Sequence, residues 1–272
     1  MDWLRALERC RQDRTPAVLL TVAETRGHAP REAGAKMVVT ADATWGSVGG
    51  GNLEEAAVRR ARAMLAEGAV APVLEHHSLS DRVPVEHGVQ CCGGEVVVLL
   101  EPVGVLPSVV IFGMGHVGLE LALLLSRHDL ELHLVDSRPD QLAAERLATV
   151  LAGPADVRIH EVPVLPELVI AELPAGTHAL VLTHDHAEDL ALLDALLRSD
   201  IPGSIGLIGS SAKWARFRAT LADLGHPPDV VDRARTPIGD RLGLPSKTPA
   251  AIAVAVTAEL LRLLGGVEVR RT

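Results

Sequence analysis

Two adjacent cysteines, Cys91 and Cys92, are the residues of this chain best suited to covalent or metal chemistry. They lie in the run GVQCCGG at residues 88–94, and the 272-residue chain has only three cysteines in all. A thiolate is a strong nucleophile and a soft metal ligand. Free cysteines are also among the most buried residue types, so the pair could equally serve packing. Both interpretations remain open from position alone.

A glycine fingerprint marks a second place for chemistry. An apolar run at residues 109–112 leads into GMGHVG at 113–118 and then into an apolar helix pattern. Glycines at these spacings permit a tight turn, close approach of a phosphate and close helix–strand packing, while the first helical amides receive the anion. Asp136 ends the next strand, 18 residues after Gly118, where an acidic side chain commonly accepts ribose hydroxyls. The residues predicted to bind a ligand here are Gly113, Gly115, His116, Gly118 and Asp136. The alternative is a Rossmann-shaped domain that has lost its ligand.

Two further segments follow predicted strands of the same sheet. Ligands of open α/β sheets bind beyond the carboxyl ends of the strands. We therefore predict polar ligand contacts at His184, Asp185, His186, Gly209 and Ser210. A helix-capping role for Asp185 is an alternative, and a metal site is disfavoured because His-x-His alternates faces on an extended chain. Lys213 and Arg216 lie one turn apart on the next helix and could meet an anion, although solvated surface charge is the commoner explanation.

A second glycine cluster, Gly49, Gly50 and Gly51, precedes a helix in the first half of the chain. It could cradle an anion, or it could form a turn that needs positive φ angles. Glu54 and Glu55 lie just inside that helix. They suit its positive end, but they would repel an anion placed there.

Composition excludes several classes of protein. Hydrophobic residues make up 48% of the chain, and the net charge is −9, with three Trp, two Phe and no Tyr. Such a chain lacks the basic patch and the aromatic stacking surface of a nucleic-acid binder. No apolar run approaches the ~18–20 residues of a membrane span, and the start of the chain lacks a signal-peptide pattern. We expect a soluble, cytoplasmic protein.

The order of elements predicts two domains. Residues 1–103 are expected to form an α+β domain, with helices at 2–13 and 52–67 and strands at 17–23, 36–40, 73–79 and 95–101. Residues 104–272 alternate strand and helix, which predicts a Rossmann-like, doubly wound parallel sheet. Its predicted strands are 108–112, 131–135, 157–162, 179–183 and 204–208, and its predicted helices are 116–127, 139–148, 186–198 and 211–223.

The motifs taken together resemble the xanthine dehydrogenase accessory family, XdhC/CoxI. The matching pieces span nearly the whole chain and keep the family's order and spacing. They are ETRG at 24–27, GAKM at 34–37, GSVGGG at 46–51, QCCGG at 90–94, FGMGHVG at 112–118, THDH at 183–186, GLIGS at 206–210, PIG at 237–239 and KTP at 247–249.

This resemblance implies a cytoplasmic chaperone that binds the molybdenum cofactor in its molybdopterin form. It would protect the cofactor while a cysteine desulfurase converts a molybdenum oxo ligand to the sulfido form. It would then pass the cofactor to the apo-subunit of a molybdenum hydroxylase such as xanthine dehydrogenase. We expect Cys91 or Cys92 to contact molybdenum or to carry labile sulfur, and Gly113–Gly118 or Gly49–Gly51 to receive the cofactor's phosphate. A homodimer is the expected assembly.

Two other functions fit parts of the sequence. The glycine fingerprint and Asp136 would suit an NAD(P)-dependent oxidoreductase, in which His184 could act as an acid. A scaffolding adaptor with an empty Rossmann domain is the second alternative.

Overall fold

The structure is a computed structural model that describes residues 2–79, 94–162, 165–244 and 246–264, apart from the side chain of Arg241. Cys91 and Cys92 lie outside the described residues. The chain divides into two compact units, Met1–Leu106 and Pro107–Thr272. The division into domains at residues 103 and 104 stays a prediction.

The first unit is an antiparallel sheet with a helix on each face. Its strands follow the order β3-β2-β1-β5-β4. Alternation along β2 places Met37 and Val39 in the core under α2, whereas Val38 packs with Ala6 and Cys10 of α1. The elements are α1 (Trp3–Gln12), β1 (Ala17–Arg26), β2 (Lys36–Val39), β3 (Thr44–Gly46), α2 (Gly51–Ala66), β4 (Val73–Ser78) and β5 (Glu95–Val103).

The second unit is a six-stranded parallel sheet in the order β11-β10-β9-β6-β7-β8. Counted from β6, this is the strand order 3-2-1-4-5-6 of dinucleotide-binding folds, with its switch point between β6 and β9. The strands are β6 (Ser108–Phe112), β7 (Glu131–Asp136), β8 (Asp156–Glu161), β9 (Thr177–Val181), β10 (Pro202–Leu207) and β11 (Ala234–Arg235). The predicted α/β class with a doubly wound parallel sheet is confirmed.

Helices cover both faces of the parallel sheet, as the buried strands require. One core joins β6 and β7 to α3, α4 and α8, and the other joins β6, β9 and β10 to α5 and α6. The helices are α3 (His116–Leu125), α4 (Ala144–Leu151), α5 (His186–Arg198), α6 (Ser211–Asp223), α7 (Pro228–Val231) and α8 (Pro249–Leu264). The 3-10 turns are Pro139–Leu142, Pro166–Glu172 and Asp240–Leu242.

Several predicted bounds differ from the structure, such as β1, which runs to Arg26 instead of residue 23, and two of the differences have a visible cause. The helix predicted at 139–148 is a 3-10 turn and then α4, because Ala143 takes an extended conformation (φ −56°, ψ 134°) between them. The strand predicted at 179–183 ends at Val181, because the Thr183 amide turns to donate to Asp189 Oδ1 at 3.0 Å. In the described part of the chain, no helix is long and apolar enough to cross a membrane.

Candidate functional site at the rim of the parallel sheet

The glycine loop after β6 has three glycines in three different surroundings. At Gly113 (φ +104°), an added Cβ would lie 2.3 Å from the Leu182 carbonyl oxygen. At Gly118 it would lie 2.1 Å from the Gly113 carbonyl oxygen. At Gly115 it would have no atom within 4 Å. The first and third glycines therefore allow backbone to pack on backbone, and the second faces open space where a ligand could approach.

The start of α3 beside Gly115 has no acid of its own, although the Asp136 carboxylate bonds to the neighbouring Met114 amide. α3 has no acidic residue in its first turn and no side-chain cap, and His116 is exposed. Among the described residues, none accepts a hydrogen bond from the amides of His116, Val117 or Gly118. These donors and the positive end of the helix suit an anion such as phosphate.

Met114 is held from both sides, so the shape of the glycine loop is fixed by the protein. Its amide donates to Asp136 Oδ2 at 2.7 Å, and its carbonyl accepts from Arg146 Nη2 at 3.0 Å. Arg146 received no role in the sequence analysis, because nothing in the sequence links it to a loop 32 residues earlier.

Asp136 is buried and already fully hydrogen-bonded. Besides Met114, it accepts from the Arg138 amide, Nε and Nη2, each at 2.9 Å. Burial raises the pKa of Asp136, but the hydrogen bonds from Arg138 and Met114 outweigh burial, so its pKa is lowered overall. A carboxylate has about four acceptor positions, and all are used here. A ribose contact at Asp136 therefore requires Arg138 to move, and that contact stays a prediction.

The loop after β9 presents exposed histidines beside a capped helix. Asp185 caps α5 by accepting from the amides of Ala187 at 2.6 Å and Glu188 at 3.3 Å, which lower its pKa. His184 and His186 are exposed. No group of three or more potential metal ligands occurs among the residues that the structure describes. The capping alternative for Asp185 is thus the one observed.

A buried ion pair lies beneath this loop. Asp189 is fully buried, Lys213 is 8% exposed, and Lys213 Nζ bonds to Asp189 Oδ2. Thr183 donates to the other carboxylate oxygen through its amide and its hydroxyl, and Lys213 Nζ also donates to the Ile208 carbonyl at 3.1 Å. The pair thereby joins the loop after β9 to the loop after β10. The interpretation of Lys213 as solvated surface charge is wrong.

Gly209 and Ser210 lie in the loop between β10 and α6. Lys213 packs over Gly209, where a Cβ would lie 2.8 Å from the lysine Cδ. Ser210 caps α6 by accepting from the Lys213 amide at 3.2 Å. The loops that hold Gly113, Asp136, Asp185 and Ser210 thus all lie at the carboxyl edge of one sheet.

The glycine cluster of the first unit differs from the loop after β6. Gly49, Gly50 and Gly51 all have positive φ angles, as the turn interpretation requires. The Gly50 amide donates to Glu54 Oε2 at 3.1 Å, and Ser47 Oγ donates to the same oxygen at 2.6 Å. A carboxylate of the chain itself thus occupies the position where an external anion would bind.

Sequence profiles identify the family. The XdhC Rossmann domain profile matches residues 109–260, which is more than half of the chain. The XdhC and CoxI family profile matches residues 10–77. The chain belongs to the XdhC and CoxI family. The resemblance carried by the sequence motifs is therefore confirmed, and the parallel sheet is the family's Rossmann domain.

Two individual proteins are similar to this XdhC-family chain. An uncharacterized protein of Escherichia coli K12, YqeB, is 26% identical over 249 residues, which is 91% of this chain and 43% of that protein. The chain thus spans less than half the length of this relative. A crystal structure of a xanthine dehydrogenase from Bacillus halodurans aligns with 100% of this chain and 98% of its own, at 20% identity and a TM-score of 0.49.

Proposed function

We propose that this XdhC-family protein binds the molybdenum cofactor as cargo and supports the maturation of a xanthine dehydrogenase-type enzyme. Family membership supports the role in maturation. The observation that carries the cargo proposal is the open start of α3 at Gly115, beside the switch point of a sheet with the dinucleotide-binding order.

The residues at this rim suit the phosphate of the cargo. Gly115 leaves open a space that a Cβ would enter, and the first amides of α3 offer donors that are not used within the described chain. Gly113 and Gly118 keep the backbone close enough to form this cradle. The half-buried Arg138 side chain is paired with Asp136 at the same edge.

The soft end of the cargo is assigned to Cys91 and Cys92, which lie outside the described residues. A thiolate suits molybdenum, or a labile sulfur that a cysteine desulfurase has delivered. The third cysteine, Cys10, is 5% exposed in the core under α1, and burial raises the pKa of its thiol. That surrounding suits packing, so Cys10 is a natural control for the pair.

The partners of the protein follow from the same proposal. It receives sulfur through a cysteine desulfurase and delivers the cofactor to the apo-subunit of a molybdenum hydroxylase. A homodimer and a cytoplasmic location complete the proposed role.

The cargo proposal is tested by producing the protein together with the cofactor pathway and measuring bound molybdenum and pterin per chain. Gly115→Val places a side chain in the open cradle, while the backbone there (φ −64°, ψ −160°) accepts any residue. We expect roughly tenfold weaker cofactor retention. Gly104→Val is the matched control, because a Cβ there also meets nothing within 4 Å. Equal retention by wild type and Gly115→Val would refute the phosphate site.

The cysteine role needs its own experiment. The double variant Cys91→Ala and Cys92→Ala is compared with Cys10→Ala for activation of apo-xanthine dehydrogenase. We expect the double variant to lose activation while Cys10→Ala retains it. Full activation by the double variant would remove the cysteines from the mechanism.

A nicotinamide-dependent oxidoreductase remains the second candidate function. The strand order and the glycine loop favour it, whereas the saturated carboxylate of Asp136 offers no free acceptor to a ribose. Titration with NADH and NADPH, followed by cofactor fluorescence, separates the two proposals. Tight binding of either, without retained molybdenum, would favour the oxidoreductase.

A further inference from the structure

A cleft of about 500 Å³ opens at the same edge of the parallel sheet, between the loop after β10 and the first turns of α8. We call it the α8 cleft. Its lining comes from three separate stretches of chain, at residues 208–211, 237–244 and 246–255. Its volume lies within the range of small-molecule sites.

The floor of the α8 cleft, formed by Ile208, Ile238 and Ile252, is apolar. Ile208 and Ile252 are partly exposed there, and Ile238 is 9% exposed. No aromatic or charged side chain stands among the residues of this floor. Burying a planar ring against three isoleucines removes apolar surface from water on both partners.

The mouth of the cleft carries the polar groups. Lys247 is exposed and brings the only cationic side chain among the described lining residues. Ser210, Ser211 and Ser246 add hydroxyl groups beside it. The Ser210 oxygen accepts from the Lys213 amide, so its own proton is left to donate. An ammonium and several hydroxyl donors suit an anion that has several oxygens.

One acid completes the lining and narrows the ligand class. Asp240 begins the 3-10 turn after Gly239 and is exposed at the cleft. A carboxylate accepts hydrogen bonds from sugar hydroxyls or from ring N–H groups. The combination of an apolar floor, one acceptor acid and a cluster of donors is the combination that a phosphorylated ring compound requires.

We propose that the α8 cleft is a second ligand site of this protein, which binds a phosphorylated planar heterocycle through Lys247 and the isoleucine floor. The compound is a nucleoside monophosphate, whose phosphate would meet Lys247 and whose ribose hydroxyls would donate to Asp240. Gly115 and the first turn of α3 are not among the described residues that line the cleft, whereas Gly209 and Ser210, predicted above as ligand contacts, do line it. The proposal therefore goes beyond the cargo site and does not depend on it.

The two sites are nevertheless connected through the structure. Lys213 packs on Gly209 and bonds to Ile208, both of which line the cleft, and its partner Asp189 holds Thr183. Leu182 and Thr183 in turn form the surface against which Gly113 packs. A continuous set of contacts thus runs along the rim from the α8 cleft to the glycine loop.

The experiment measures binding of the four ribonucleoside 5′-monophosphates and of 6-hydroxymethylpterin phosphate to the full chain by calorimetry. The unphosphorylated compounds are measured alongside. We expect saturable binding of at least one nucleotide, whereas binding of the pterin phosphate alone would indicate the cargo and would contradict this proposal. Lys247→Ala should weaken nucleotide binding roughly tenfold and leave the unphosphorylated compound unaffected. Arg262→Ala is the control, since it removes the same charge at the far end of α8.

A second variant tests the floor without changing charge. Ala251→Phe fills the cleft, whereas Val254→Phe places the same ring at a half-exposed position of the same helix that does not line the cleft. Binding should be lost in the first variant and retained in the second. Absence of saturable binding at millimolar concentrations, or equal binding by Lys247→Ala and Arg262→Ala, would overturn the proposal. The proposal would also be overturned if Gly115→Val abolished all binding while Lys247→Ala left binding unchanged. That result would leave the cargo proposal intact.

Discussion

Two helices of the described chain, α2 and α3, begin at glycine-rich turns, and only α2 carries a carboxylate that bonds to the amides of its own start. At the start of α2, Glu54 reaches back to the Gly50 amide and to Ser47. At the start of α3 the first turn has no acid, and Gly115 faces open space. Glycine content therefore does not identify an anion site. The decisive feature is whether the helix carries its own carboxylate within reach of the amides.

The largest expected effect concerns the ion pair that supports the open start. Lys213→Met leaves the fully buried Asp189 charged and without its cation, which should lower the free energy of unfolding by about 3–5 kcal/mol. Urea unfolding of the wild type and of Lys213→Met measures this loss of stability. The double variant Asp189→Asn and Lys213→Met removes both charges and keeps an acceptor for Thr183, so it should recover part of the loss. No recovery would show that the pair acts through packing alone.

Alanine substitutions at the glycines sharpen the comparison itself. Gly118→Ala meets the Gly113 carbonyl and should cost about 3 kcal/mol of stability. Gly50→Ala meets no atom but keeps φ 73° and ψ 176°, a conformation nearly confined to glycine, so we expect about 2 kcal/mol. Gly115→Ala meets neither obstacle and should change stability by less than about 0.5 kcal/mol. Any other order, measured by chemical denaturation, would contradict the assigned roles.

Acid should destabilise the second unit through the buried His133 and its half-buried neighbour His160. His133 Nδ1 lies 2.9 Å from His160 Nε2, and burial lowers the pKa of His133 to about 4 and lowers that of His160. Below the ordinary histidine pKa of about 6.5, these imidazoles bind protons in the unfolded chain but stay neutral in the folded chain until the pH is lower. Stability should therefore fall as pH drops from about 6.5 towards 4, by up to about 2 kcal/mol at pH 5 for His133. His133→Gln should flatten this dependence, and an unchanged slope would rule out His133 as its source.

The last substitution frees the start of α2 from its own carboxylate. Glu54→Ala removes the internal carboxylate and should cost about 1 kcal/mol of stability. It also frees the Gly50 amide, so added sulfate should raise the melting temperature of this variant more than that of the wild type. Glu55→Ala provides the same change of charge one residue away. An equal response to sulfate in both variants would mean that the freed amide does not bind anions.

Local sequence rules predicted most of the second unit. Apolar strands bounded by glycine gave β6 at its observed limits, and Asp185 and Ser210 begin α5 and α6 at the predicted residues. The break at Ala143 was missed, because alanine is a strong helix former and gives no signal that the helix is interrupted there.

The ion pair beneath the rim was also missed, although a signal was present. Asp189 stands on the apolar stripe of α5 with Leu192 and Leu196, and Lys213 stands on that of α6 with Phe217 and Leu221. A charge at a core position indicates a buried partner. The partner is 24 residues away in sequence, so only the fold identifies it.

The double attachment of Met114 has a kinetic consequence. Its amide and carbonyl are both hydrogen-bonded to protein groups, so we expect the loop around Gly115 to keep its shape when a ligand binds. A preformed cradle adds little ordering entropy to binding, and no conformational step delays association. Departure of the ligand is then governed by the strength of its own contacts.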